Sequence, residues 1–135
     1  MSKPFRNTAG FGKRMEYWVI GKMLKEGLDV YIPLVDDFGI DAVVRKSNNE
    51  FIEVQIKARS ADVKEGDAAL FAAIVHPEVR ENYYFVFYSE RMDATWILSS
   101  AEFCSVAAQK KKGKNKNEKI IKKFLKMKKR ELMKI

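Results

Sequence analysis

The sequence predicts a mixed α/β fold, and three features point to it. Apolar residues recur at helical spacing between Phe11 and Leu24. Two segments, Ile40–Arg45 and Phe51–Lys57, alternate in polarity as half-buried strands do, and Tyr83–Tyr88 is an almost unbroken aromatic and β-branched run. With 135 residues and 15.6 kDa the chain has room for one core. Its 47% hydrophobic and 33% charged residues argue against disorder. No apolar run approaches the ~20 residues of a membrane span and no secretory h-region opens the chain, so a cytoplasmic protein with no membrane partner is expected. The single cysteine, Cys104, excludes an internal disulfide and a Cys-rich zinc site, and the single histidine, His76, excludes a His pair on a metal.

The elements follow in order. Asn7 or Thr8 is placed to cap a first helix running to about Lys25, with Gly27 as its left-handed C-terminal residue. The apolar positions of this helix cover most of its circumference, which predicts packing on several sides, and Glu16 stands among them. Val30–Leu34 reads as a short extended piece, Asp36-Asp37-Phe38-Gly39 as a turn and Ser47-Asn48-Asn49 as a hairpin connection. An Ala-rich stretch from Asp67 to Val75 predicts a second helix, stopped by Pro77 with His76 at its end. Strands at Tyr83–Tyr88 and Thr95–Leu98 come next, then a helix from Ser99 or Ser100 to Ala108. Gln109–Asn117 reads as a linker, and Asn115 with Glu118 as the capping box of a last, amphipathic helix bearing Ile121, Leu125 and Leu132.

Charge divides the chain into an α/β domain at 1–108 and a Lys-rich linker plus C-terminal helix at 109–135. The latter holds 13 Lys/Arg against Glu118 and Glu131, a net +11, whereas residues 1–108 carry −3. Such a tail suits a polyanion, most often nucleic acid, through phosphate neutralisation by Lys110, Lys111, Lys112, Lys114, Lys122 and Lys126. A solvated, solubilising terminus is the plainer alternative. The apolar stripe of the last helix could equally meet a partner subunit.

The residues with chemistry to offer are Glu16, Asp41, Gln55 and Lys57. Glu53, Gln55 and Lys57 share one strand face, neighbours in that set lying about 6.6 Å apart. A hairpin through Ser47–Asn49 pairs positions whose numbers sum to about 96, which sets Asp41 across from Gln55. A carboxylate and an amide oxygen suit a hard divalent cation, with Lys57 beside them for a phosphate or an attacking water. The alternative is a strand whose polar face simply meets solvent. Glu53 has either a second ion or Arg45 as a cross-strand partner, with Arg45 favoured. Arg59 and Ser60 either touch a nucleic-acid backbone or form an ordinary strand exit. Asp36 and Asp37 read as turn formers, Cys104 as a small buried hydrophobe, and Tyr83 to Tyr88 as core.

Gly39-Ile40-Asp41, thirteen intervening residues and Gln55-Ile56-Lys57 resemble the PD-(D/E)xK nuclease superfamily, in its variant with Gln at the acidic position. Gly12 to Glu16, Gly27 to Pro33, Val35 to Asp41 and Trp96 to Phe103 extend the likeness over roughly residues 8–105. The resemblance implies a restriction-endonuclease-like αβββαβ core with a mixed central sheet flanked by helices, and Mg²⁺- or Mn²⁺-dependent hydrolysis of DNA. By position, Asp41 would ligate the metal, Gln55 would take the second ligand position, Lys57 the catalytic lysine, and Glu16 would assist the metal or its water. The departure is Gln55, whose neutral amide leaves two anionic candidates where the commoner motif has three.

The function expected is a metal-dependent DNA endonuclease, with RNA left open as a substrate. By analogy with small nucleases that cut both strands, it would act as a homodimer. The alternatives are a catalytically silent nucleic-acid-binding module and a subunit of a restriction or defence assembly.

Overall fold

The computed structural model describes residues 8–36, 38–64, 71–109 and 118–121. Helix α1 (Thr8–Lys25) opens them. Gly27 ends it at φ +90°, as a Schellman turn requires: Leu28 N–H donates to the Met23 carbonyl and Gly27 N–H to that of Leu24, each at 3.0 Å. Phe11, Val19, Ile20 and Met23 are buried, whereas Tyr17 and Leu24 are more than half exposed. The helix therefore packs along one stripe, not on several sides. Trp18 covers the edge of that stripe, 4.6 Å from the Tyr88 ring, while Lys22 stands over it at 4.3 Å.

Five strands form the main sheet in the order β1-β2-β3-β5-β6: β1 (Asp29–Tyr31), β2 (Ala42–Ser47), β3 (Glu50–Arg59), β5 (Tyr83–Ser89) and β6 (Ala94–Ser99). The first is shorter than the Val30–Leu34 expected and ends before Pro33, which cannot donate to a ladder. The hairpin of β2 and β3 has the register read from the sequence, Ala42↔Val54 through Arg45↔Phe51, before a bulge at Arg45/Ser47. The pairing of β3 with β5 is parallel and the other three are antiparallel, so the sheet is mixed.

The strand pleat sorts the core onto two faces. Ile52, Val54 and Ile56 of β3, Ala42 and Val44 of β2, and Val86 and Tyr88 of β5 meet Val19, Ile20 and Met23 of α1. Tyr83, Phe85 and Phe87, with Trp96 and Leu98 of β6, point the other way and meet Phe103 of helix α2 (Ser100–Val106). A capping box starts α2. Glu102 N–H donates to the Ser99 hydroxyl at 3.2 Å, and Ser99 N–H donates to the Glu102 carboxylate at 3.0 Å. Burial on both sides explains why Tyr83–Tyr88 shows no alternation.

Two expected helices are strands where the described residues cover them. Phe71–Val75 forms β4, and a small second sheet runs β4-β8-β7 with β7 (Ala108–Gln109) and β8 (Glu118–Ile121). The Ala-rich stretch from Asp67 was read as helical on propensity. Its Phe71 and Ile74 instead bury against the Phe85 face, and its backbone pairs with β8, Phe71↔Ile121 through Val75↔Glu118. Tertiary pairing outweighs the few tenths of a kcal/mol per residue by which alanine prefers a helix. Residues 67–70, and the rest of the expected terminal helix after Ile121, lie outside the described residues. The β4–β8 pairing joins the basic region to the body across the 108/109 boundary. Among the described residues no helix is long and apolar enough to cross a membrane.

Phe85 is the centre of the aromatic face, fully buried, 4.3 Å from Phe103 and 5.5 Å from Phe87 between centroids. Phe85→Ala is expected to lower stability by about 3–5 kcal/mol. Urea unfolding would show this as a lower midpoint at unchanged slope.

Candidate functional site

Strand β2 begins only at Ala42, one residue short of a complete ladder. Asp41 N–H still donates to the Val54 carbonyl at 2.8 Å, but the chain before it leaves the sheet. The next donor of β3, the Ile56 N–H, therefore has no backbone acceptor on that side, and the Asp41 carboxylate takes its place at 2.7 Å. The departing loop is held by Asp36, whose carboxylate accepts from Ile40 N–H at 2.7 Å. Asp41 is half-buried, and burial is the main cause that pushes its carboxyl up to about 7. The Ile56 bond opposes that rise; a hydrogen bond with Asp36 and the charges of Glu16 and Asp36 add to it.

Three acids from α1, the loop and the head of β2 thus act on one another. Glu16 keeps 14% of its side-chain surface exposed and pairs with Lys13 at 3.4 Å, a contact that raises the Lys13 pKa.

Gln55 follows in the register and lies on the aromatic face of β3. Its amide oxygen is 2.9 Å from the Tyr83 hydroxyl, which also contacts the Gly39 carbonyl. Gly39 has φ +69°, and a Cβ there would stand 3.1 Å from that hydroxyl and 3.3 Å from the amide oxygen. Both the backbone angle and the crowding call for glycine.

Beyond Gln55 runs an open groove of about 690 Å³, lined by Phe38, Gly39, Gln55, His76, Pro77 and Arg80 among others. Arg80 orders it: the guanidinium donates to Glu53 at 3.0 Å and to the Phe38 carbonyl at 2.9 Å, and stacks 4.2 Å from the Tyr83 centroid. His76 is only 2% exposed; it meets the Ser100 hydroxyl at 2.6 Å and stacks on Tyr83 at 5.0 Å.

Asp41 is linked by charge to Glu16 and Asp36, whereas Gln55 lies on the face of β3 turned away from α1 and meets Tyr83. Lys57 continues the Gln55 face, and among the described residues no ion pair holds its ammonium. Glu53 pairs with Arg80, not with Arg45. The register sets Glu53 opposite Val43 and Arg45 opposite Phe51, so Arg45 turns to the Ser47 carbonyl and Asn48 instead. His76 is core between strands, not a helix end. Arg59 ends β3, half-buried, its carbonyl accepting from Glu90 N–H. Lys110, Lys111, Lys112, Lys114, Lys122 and Lys126 lie outside the described residues. Sequence reasoning missed Arg80, read Tyr83 as core, and preferred a turn-forming role to a ligand role for Asp36. The connection around Arg80 has no periodicity, and only the strand order brings it over Glu53.

No protein-family model matches the chain, and no curated protein matches it. Among solved structures it is similar to a bacterial homing endonuclease, I-Ssp6803I, with a TM-score of 0.56 at 18% identity, over 95% of this chain and 85% of that one. At that identity the shared property is the fold.

A carboxyl whose pKa is higher folded than unfolded costs stability as pH rises from the unfolded value near 4 through about 7. Asp41→Asn keeps an acceptor for Ile56 and removes the charge. In EDTA it is expected to stabilise the fold by about 1–2 kcal/mol at pH 8, the carboxylate's partial exposure screening the rest, with the gain vanishing near pH 4. Thermal melts across that range measure it.

Proposed function

We propose that the chain is a metal-dependent DNA endonuclease of the PD-(D/E)xK type, with Asp41, Gln55, Lys57 and Glu16 as its working residues. One observation carries the reading: Asp41, Asp36 and Glu16, from three separate segments, act on one another where β2 meets β3, and burial first, with their charges adding to it, lifts Asp41 to about 7. Proteins keep such a costly arrangement where function requires it. The endonuclease activity named for the structural neighbour agrees with this reading.

The donor chemistry fits a hard divalent cation: the groups are oxygens, and a positive ion would relieve their repulsion. Among the described residues no three His, Cys, Asp or Glu side chains converge at metal-binding distance. Asp41 would accordingly be the principal anchor, with Glu16 and the Gln55 amide oxygen behind it and water completing the shell, a habit of Mg²⁺. When bound, the ion supplies charge opposite the phosphate oxygens and a water acidic enough to attack at neutral pH. The chain's own residues do the rest. The Asp41–Ile56 bond fixes the anchor on rigid sheet, and Lys57 offers a cation to a phosphate oxygen from the next position on the Gln55 face.

The test is cleavage of supercoiled plasmid with Mg²⁺ or Mn²⁺. Asp41→Ala and Lys57→Ala are each expected to lose about 100-fold or more in rate while DNA affinity stays within a few-fold. Full activity in either variant would remove the assignment.

Gln55 favours a second reading, a silent nucleic-acid-binding module, because its amide is neutral and already engaged by Tyr83. That reading expects no cleavage with any divalent ion. Binding would persist in EDTA, with log affinity falling against log salt at a slope near −5 for about six phosphate contacts. Mobility shifts at graded salt measure it.

A further inference from the structure

We infer that Tyr83 is a positioning residue that sets which end of the Gln55 amide faces the site. In this assignment the amide is turned end for end from the orientation that sets its oxygen 2.9 Å from the phenol, so that its nitrogen meets the phenol oxygen instead. Counting protons leads to this arrangement. The Tyr83 hydroxyl touches the Gly39 carbonyl and the Gln55 amide, yet carries one hydrogen. A backbone carbonyl only accepts, so that hydrogen belongs to Gly39. With its oxygen toward Tyr83, the amide would put a third oxygen around the same proton. Reversed, it donates an N–H to a phenol lone pair, and both contacts become complete hydrogen bonds.

The surroundings keep the phenol in this role. Burial, the largest influence on it, pushes its pKa well above the ordinary value, so the proton stays on. The ring is held by Arg80 at 4.2 Å, by His76 at 5.0 Å and by Phe85 at 5.3 Å. Gly39 approaches too closely for a side chain to intervene. A carboxylate presents oxygen at both ends and needs no such device, whereas a glutamine can present the wrong one. The service of that oxygen to a cation rests on the nuclease reading above; the orientation itself does not.

Neutron diffraction on the metal-free, deuterated protein decides the orientation without any substitution. Deuterium on the Gln55 nitrogen directed at the Tyr83 oxygen is expected, and an amide oxygen facing Tyr83 would overturn the inference. Calorimetric titration with Mn²⁺ then tests its consequence. Tyr83→Phe should weaken binding about 5-fold, the worth of one neutral hydrogen bond, in the Gln55 protein. In the Gln55→Glu background the same change should not weaken binding. Equal weakening in both backgrounds would mean that Tyr83 only supports the fold, and would sink the positioning role. If the parent binds no Mn²⁺, the nuclease reading and the amide's service to a cation fall together, while the neutron map still settles the orientation.

Discussion

Strand β3 is the constraint on which everything else depends. Its ten residues must seal a core through Ile52, Val54 and Ile56 while offering Glu53, Gln55 and Lys57 to the opposite face. The pleat alone enforces this division, and a one-residue slip would bury a charge and expose three aliphatic side chains. Two partners prevent the slip. The β2 hairpin fixes one edge through four successive pairs, and the parallel β5 ladder fixes the other from Glu53↔Tyr83 to Arg59↔Ser89. Because α1 grips the same apolar residues, Glu16 is brought to the strand end by packing that has nothing to do with its charge.

Patterns repeated within one element were legible in the sequence. The polarity of Ile40–Arg45 and Phe51–Lys57 fixes their faces, and a short polar connection fixes their register from Ala42↔Val54 to Arg45↔Phe51. The start of α2 at Ser99 or Ser100 was equally local, although the capping box that Glu102 completes there was not read. Illegible features depended on distant partners. Nothing within Ala72-Ala73-Ile74-Val75 distinguishes a strand from a helix without Glu118–Ile121 to pair with it. Arg80 is a single residue in a connection, and its bonds to Glu53 and Phe38 arise only after β5 has been laid parallel to β3. The exposure of Tyr17 and Leu24 was hidden for a similar reason, since apolarity states what a residue tolerates and not what covers it.

The second sheet sets Glu118–Ile121 beside β4. β8 lies along β4, and β4 runs directly into Val75, His76 and Pro77, which line the groove beside Gln55. The groove itself is not a phosphate site by charge: Arg80 is spent on Glu53, and Glu78 stands in the lining.

That charge balance bears on why position 55 is neutral. Asp41 already sits near Asp36 and Glu16, and burial penalises its own negative charge. A carboxylate at 55 would add a further anion on the neighbouring strand, and would set it against a phenol whose only proton is committed to Gly39. Both effects raise the cost of the folded, ion-free protein. An amide supplies an oxygen of comparable reach at no charge, and its nitrogen satisfies the phenol that a carboxylate would repel. The exchange lowers attraction for a cation and steadies the chain without one. The Gln55–Tyr83–Gly39 cluster is therefore best understood as one unit, in which the glycine admits the phenol, the phenol orients the amide, and the amide spares the site a fourth negative charge.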